Sequence, residues 1–263
     1  MKKILIAVAV FGLIFAAGTI QAKDWKVVRI GVEGAYPPFS STTADGNLVG
    51  FDIDIARALG KAMGVEIKLV PQDWDGIIPA LMARKYDAII ASMSITEERK
   101  KKVAFTNKYY NTPAKFVCKK GAMKEFTREQ VAEVTAGKQI GVQRATIHDM
   151  FITDNHGEGA TIKRYATQDE AYMDLTAGRV DMLLADSVAI DGGFLKKPEG
   201  QDYQFIGPDL TDKKWFGDGS GIACRKKDTD LVEMFNKAIV QIRSDGTYKS
   251  IQDKYFDFDV YGE

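Results

Sequence analysis

This sequence is poor in the residues on which metal and nucleophile chemistry is usually built. It holds two cysteines and two histidines in 263 residues. His148 and His156 have no Cys or third His partner at a usable spacing, so no metal site is expected, and no cofactor either. An excess of charge is missing as well, since 36 basic and 36 acidic residues cancel. A nucleic-acid partner would want a basic excess on one face, and none is expected. The one basic run, Arg99-Lys100-Lys101-Lys102, is short and follows Glu97-Glu98, which makes a solvated helix face the plain reading of its lysines.

Long hydrophobic runs are absent except at the start. Lys2 and Lys3 precede an apolar run from Ile4 to Ala17, and Ile20-Gln21-Ala22 offers a small residue for cleavage. The run is too short for a comfortable membrane span and has the pattern of a secretory signal peptide over residues 1–22. No Cys stands at the cleavage site, so no lipid anchor is expected there. From Lys23 on, the expected product is an exported, soluble, slightly acidic and monomeric chain. Its 45% hydrophobic content supports one large or two modest domains. Cys118 and Cys224 lie in apolar, strand-like stretches and read as buried thiols, with a disulfide as the alternative in an oxidising compartment.

What the chain does have is repetition. Leu81-Met82-Ala83-Arg84-Lys85-Tyr86-Asp87-Ala88-Ile89-Ile90-Ala91-Ser92 is echoed by Leu175-Thr176-Ala177-Gly178-Arg179-Val180-Asp181-Met182-Leu183-Leu184-Ala185-Asp186. Upstream, Ile30-Gly31-Val32-Glu33 is echoed by Ile140-Gly141-Val142-Gln143. Two copies of strand, helix, strand imply two α/β lobes of similar build. Ligands of open α/β sheets bind outside the carboxyl ends of the strands. Those ends are Glu33 and Ser92 in one copy and Gln143 and Asp186 in the other, so facing lobes would bring all four to a cleft suited to a small polar molecule.

Local patterns fill in the elements. Strands are expected at Val27 to Val32, Val65 to Val70 and Lys85 to Ser92, with a helix from Phe51 to Met63 stopped by Gly64 and another from Ile77 to Ala83. One or two helical turns are expected from Glu97 to Lys101. Phe116 to Cys118 opens the second copy. There Thr127 to Ala136 and His148 to Asp154 read as helices, and Gln139 to Val142, Thr161 to Tyr165 and Val180 to Ala185 as strands. Thr167-Gln168-Asp169-Glu170 is a capping box that starts a helix ending near Ala177. The amphipathic helix from Asp230 to Arg243 and the one after Gly246 follow the second copy, so the chain is expected to return and finish the first lobe.

Four further motifs are specific when taken together: Gly50-Phe51-Asp52-Ile53-Asp54, Trp74-Asp75-Gly76-Ile77-Ile78-Pro79, Ser94-Ile95-Thr96-Glu97-Glu98-Arg99 and Asp245-Gly246-Thr247-Tyr248. With Phe216-Gly217-Asp218-Gly219 and Tyr255-Phe256-Asp257-Phe258, they make the chain resemble the periplasmic polar-amino-acid-binding proteins of ABC importers, the lysine/arginine/ornithine- and arginine-binding group above all. The likeness covers essentially the whole mature chain. It implies a two-lobed periplasmic binding protein fold of type II-like α/β build, each lobe a mixed sheet flanked by helices, joined by two hinge strands and closing on its ligand. Residues 23–110 with 217–263 would form one lobe and 111–216 the other. The partners implied are a cationic amino acid and a membrane permease.

The resemblance also implies site roles. The ligand-binding candidates are Glu33, Tyr36, Trp74, Ser92, Met93, Ser94, Arg99, Gln143, Ile147, His148 and Asp186. Arg99 matches the arginine that clamps the α-carboxylate, which suits a planar guanidinium reading a carboxylate with two bonds; the alternative is the first member of a basic helical run. Asp186 matches the group that holds the α-ammonium, or else caps the next helix. Ser92 and Ser94 match hydroxyl ligands, or are turn residues only. Tyr36 and Trp74 match two aromatics that sandwich the side chain, against packing roles. Glu33 matches the carboxylate that meets the distal cation, or is a solvated strand end. His148 reads as a polar wall. There are departures too: Ala145 and Ile147 stand where arginine-type relatives usually carry Gly and Thr, so a hydroxyl contact is lost at 147 while backbone N–H groups remain. Gly60 and Ile67 stand where some relatives have a cysteine pair.

Histidine or an opine-like arginine derivative are the other ligands in this reading. A dehydratase-like enzyme on the same fold is a second class, with Glu33 or Asp186 as a general acid, but no nucleophile or metal accompanies them. A tethered sensor is a third, for which the sequence supplies no transmembrane segment or signalling module.

Overall fold

The computed structural model describes residues 23–262, and the expected signal peptide lies outside the described residues. Two five-stranded sheets follow one plan. In the first, Glu66–Pro71, Val27–Val32 and Ala88–Ile89 run parallel, followed by Ser220–Cys224 and Ala104–Tyr110 in antiparallel pairing. In the second, Thr161–Tyr165, Gln139–Gln143 and Met182–Asp186 run parallel, followed by Ala114–Lys119 and Tyr203–Leu210 in antiparallel pairing. The fourth place in each sheet is therefore filled by chain that has just crossed over from the other lobe. The crossings are residues 111–113 and 211–219, two connections between the lobes.

The Ile-Gly-Val echo has a steric cause. A Cβ on Gly31 would lie 2.5 Å from the Tyr86 ring, and one on Gly141 2.3 Å from Leu183 Cδ2. In both copies the second residue of the echo must be glycine so that a neighbouring side chain can close over the strand. Around these strands the helices bury apolar faces. Ile53 and Leu59 of the Phe51–Met63 helix share one core with Leu231, Phe235, Ile239 and Tyr248 of the C-terminal helices, so the chain end does complete the first lobe. Gly64 closes the Phe51–Met63 helix in the left-handed region at φ 68°, its N–H on the Gly60 and Lys61 carbonyls. The Thr167/Glu170 capping box is formed, and a second at Thr127/Gln130 starts the short helical segment before Gly137.

Two differences from the sequence reading have local reasons, and the cysteines follow it. The third strand is laddered only at Ala88–Ile89; Ile90 still donates to the Gly31 carbonyl, but Ser92 turns to φ 52° and ends the extended run. Tyr203–Leu210 carries Gly207 at φ 72° and Pro208, which hide a strand behind a bulge. Cys118 and Cys224 are free and buried in the cores of different lobes, which removes the disulfide alternative. Among the described residues no helix is long and apolar enough to cross a membrane.

Candidate ligand site between the lobes

A small cavity lies between the two sheets. Glu33, Ser92, Gln143 and Asp186, the four strand ends singled out by the repeat, all line it. So do Tyr36, Trp74, Ser94, Arg99, Ile147 and His148. Met93 does not. Its side chain is wholly buried in the core with Ile77, Leu81 and Tyr86, on the side of the chain away from the two cavity-facing serines.

The lobes touch around this cavity. Gln143 Nε2 donates to Glu33 Oε1 at 2.5 Å and to the Ala166 carbonyl at 3.1 Å. Trp74 Nε1 donates to the Ala145 carbonyl at 3.2 Å, and Arg144 pairs with Asp75 at 2.5 Å. On another side Gly192 and Gly193 admit Pro37 and Pro38, where added Cβ atoms would come within 3.2 and 3.3 Å of them. The conformation is thus a closed one.

One end of the cavity is cationic. Arg99 is buried, and burial pulls its guanidinium down to about 10. Among the described residues its side chain bonds the Ser94 carbonyl, at 3.1 Å, and its guanidinium faces the Trp74 ring at 5.1 Å, but no carboxylate pairs with it. A desolvated, unpaired guanidinium is costly, so this group is poised for an anion. Beside it starts the helix Ile147–Asn155. Its cap, Thr146, accepts from Asp149 N and donates to the Gln143 carbonyl, which leaves the first N–H groups of the helix for an anion. Burial, then the charge of Arg99, push His148 down to about 3, so it is a neutral wall.

The other groups are carboxyls. Asp186 Oδ1 accepts from Val188 N at 2.9 Å and Ala189 N at 3.0 Å, while Oδ2 accepts from the Thr112 hydroxyl. It caps the following helix and lines the cavity at once. Burial raises Asp186 to about 6, against those hydrogen bonds, and raises Glu33 to about 7, against the Gln143 bond. Tyr36 and Trp74 form walls; Trp74 also packs on Ile77 and Leu81, so wall and core roles are combined.

Several cavity residues escaped the sequence reading: Tyr110, Thr112, Phe216 and Ser220. Thr112 lies in a three-residue crossing whose place only the sheet swap reveals. Ala145 sits at φ 59°, where a Cβ costs about 1–2 kcal/mol. Ala145→Gly is expected to stabilise by about 1 kcal/mol after the entropic loss of glycine, raising the melting temperature by about 2–4 °C. A lower melting temperature in scanning calorimetry would show that Ala145 is not strained.

The model of the bacterial extracellular solute-binding proteins, family 3, matches residues 28–258. The chain belongs to this family. Among family 3 relatives, an L-arginine-binding protein of Pseudomonas aeruginosa is 51% identical over 100% of this chain and 99% of its own length. The lysine/arginine/ornithine-binding periplasmic protein of Escherichia coli is 42% identical over 100% of both chains. Among solved structures, a Salmonella typhimurium periplasmic binding protein described for high arginine specificity superposes with a TM-score of 0.80 at 31% identity, covering 88% of this chain and 99% of that one. The family 3 fold, two α/β lobes with the cavity between them, is thereby shared with them.

Proposed function

We propose that this protein captures a cationic L-amino acid (arginine, lysine or ornithine) in the periplasm and delivers it to the permease of an ABC importer. The observation that carries the reading is the unpaired Arg99 beside a helix N-terminus in a cavity that also holds the carboxyls of Asp186 and Glu33. Arg99 and the first N–H groups of the Ile147–Asn155 helix would take the α-carboxylate, Asp186 the α-ammonium and Glu33 the distal cation, with Tyr36 and Trp74 against the side chain. The names of the relatives support an amino acid of this class. Residues 111–113 and 211–219 would be the hinge. The role is binding, not turnover.

A thermal-shift screen of ligand-free protein against the common amino acids tests it. A ligand at a hundred times its dissociation constant adds about 2.7 kcal/mol of stability. Shifts with arginine, lysine or ornithine are expected; a response to glutamate or glutamine alone, or chemical conversion of a bound ligand, would sink the reading.

The raised carboxyls make binding pH-dependent. With Glu33 at about 7 and Asp186 at about 6, both above their ordinary values, the ligand-free closed form holds more protons than the unfolded chain between about pH 4 and 7. Its stability therefore falls as pH rises through that window. A cation beside them draws both back down, so the gain on adding arginine should grow from pH 5 to pH 8. Calorimetry in buffers of different ionisation enthalpy should show proton release on binding near neutral pH. Proton uptake would contradict it.

A further inference from the structure

Beneath the cavity, in the first turn of the Phe51–Met63 helix, lies a carboxyl that no role above uses. Asp52 is fully buried and does not line the cavity. Its Oδ2 accepts the Ser92 hydroxyl at 3.1 Å and its Oδ1 accepts the Tyr109 hydroxyl at 2.8 Å. The Tyr109 oxygen in turn accepts the Ser92 backbone N–H at 3.2 Å, closing a ring of three residues. Ser92 needs such support, since it sits in the left-handed region at φ 52°.

We infer that Asp52 is a positioning residue for amine recognition: it holds the Ser92 hydroxyl proton inward, so that Ser92 presents only lone pairs to the cavity. The inference rests on the amino-acid-binding reading above. Burial raises Asp52 to about 7, against the Tyr109 and Ser92 hydrogen bonds, so above that pH it is a carboxylate with acceptors only and both hydroxyl protons of the ring must point at it. The Tyr110 hydroxyl is also beside Ser92, but a carboxylate is the stronger acceptor for the serine proton. Ser92 Oγ is then an acceptor toward any ligand, which suits an ammonium and is wrong for a carboxylate or carbonyl oxygen. The charge of Asp186 acts on Asp52, which sets this ring near the carboxyl proposed to hold the α-ammonium. Asparagine at 52 would offer an N–H to Ser92 Oγ and turn the serine proton outward, reversing its polarity at nearly constant shape.

The test is a double-variant cycle of Asp52→Asn and Ser92→Ala, read by calorimetry with arginine and with 5-guanidinopentanoate, the same molecule without its α-amine. Each single variant should weaken arginine about 10- to 100-fold, the range of a hydrogen bond to a charged group. The double variant should be no weaker than the worse single one, and the deaminated analogue should change less than about threefold throughout. Normal binding by the wild type with factors that multiply in the double variant would overturn the inference and leave the amino-acid reading intact. Equal losses for both ligands would overturn it too, since they would mark a role in the fold. A wild type that binds no amino acid would sink the reading itself. Should Asp52→Asn fail to fold, Ser92→Ala alone must weaken arginine and spare the analogue, and the reverse pattern would refute the assignment.

Discussion

Arg99→Ala is expected to abolish measurable binding of every amino-acid ligand while leaving the ligand-free protein as stable as before, or more so. The α-carboxylate is common to all candidates, so loss of its clamp is felt by all of them. Leaving a buried carboxylate without its partner costs about 2–5 kcal/mol, roughly a 30- to 5,000-fold rise in Kd. Stability should move the other way. Arg99 is a buried guanidinium with one carbonyl partner at 3.1 Å and no paired carboxylate, so removing it relieves an uncompensated charge. A variant that melts no lower yet binds nothing separates a clamp from a packing residue. Near-native affinity in calorimetry, or a collapse in melting temperature, would show that Arg99 is held there for the fold.

Glu33→Gln should change which ligand is chosen more than how tightly amino acids bind in general. Arg99 and Asp186 meet groups that all amino acids share, so discrimination falls to what meets the side-chain end. The glutamine variant keeps the shape and the reach of Gln143 across the cleft, but removes the negative charge. Arginine and lysine should lose about 2–5 kcal/mol. Glutamine should lose little, or gain, because the wild-type carboxylate no longer has to be neutralised or left unpaired against it. Calorimetry on both proteins with arginine, lysine, histidine and glutamine decides the matter. An unchanged arginine-to-glutamine ratio would mean that Glu33 is only the cross-cleft partner of Gln143.

The cleft was legible because the sequence repeats itself. Two copies of the same strand and turn pattern gave the strand ends, and Glu33, Ser92, Gln143 and Asp186 do line one cavity. The resemblance added Arg99, Tyr36 and Trp74, which no periodicity marks. What stayed hidden depends on pairing between distant segments. Thr112 lies between two strands that belong to different sheets, and Ser220 returns to the cavity on a strand far along the chain. Asp52 could be quoted as part of a motif, yet its use depends on Ser92 and Tyr109, which lie 40 and 57 positions away. Met93 shows the opposite limit. A residue between two cavity serines looks like a site residue until its packing against Ile77, Leu81 and Tyr86 places it in the core.

The strand exchange between the sheets also sets an order of assembly. The second sheet draws all five strands from residues 114–210, and its core needs only Trp215 and Phe216 from the chain that follows, so that lobe can close before the rest of the chain is available. The first sheet does not. Ser220–Cys224 pairs on both sides, with Ala88–Ile89 and with Ala104–Tyr110, and without it the Ala104–Tyr110 strand has no neighbour in the sheet. The apolar faces of Leu231, Phe235 and Tyr248 arrive later still. A chain emerging from its N-terminus must therefore keep its earliest hundred residues unfinished until the last fifty appear. The lobe that begins first is completed last, and a truncation between Phe216 and Ser220 would leave one sound domain joined to an open, aggregation-prone sheet.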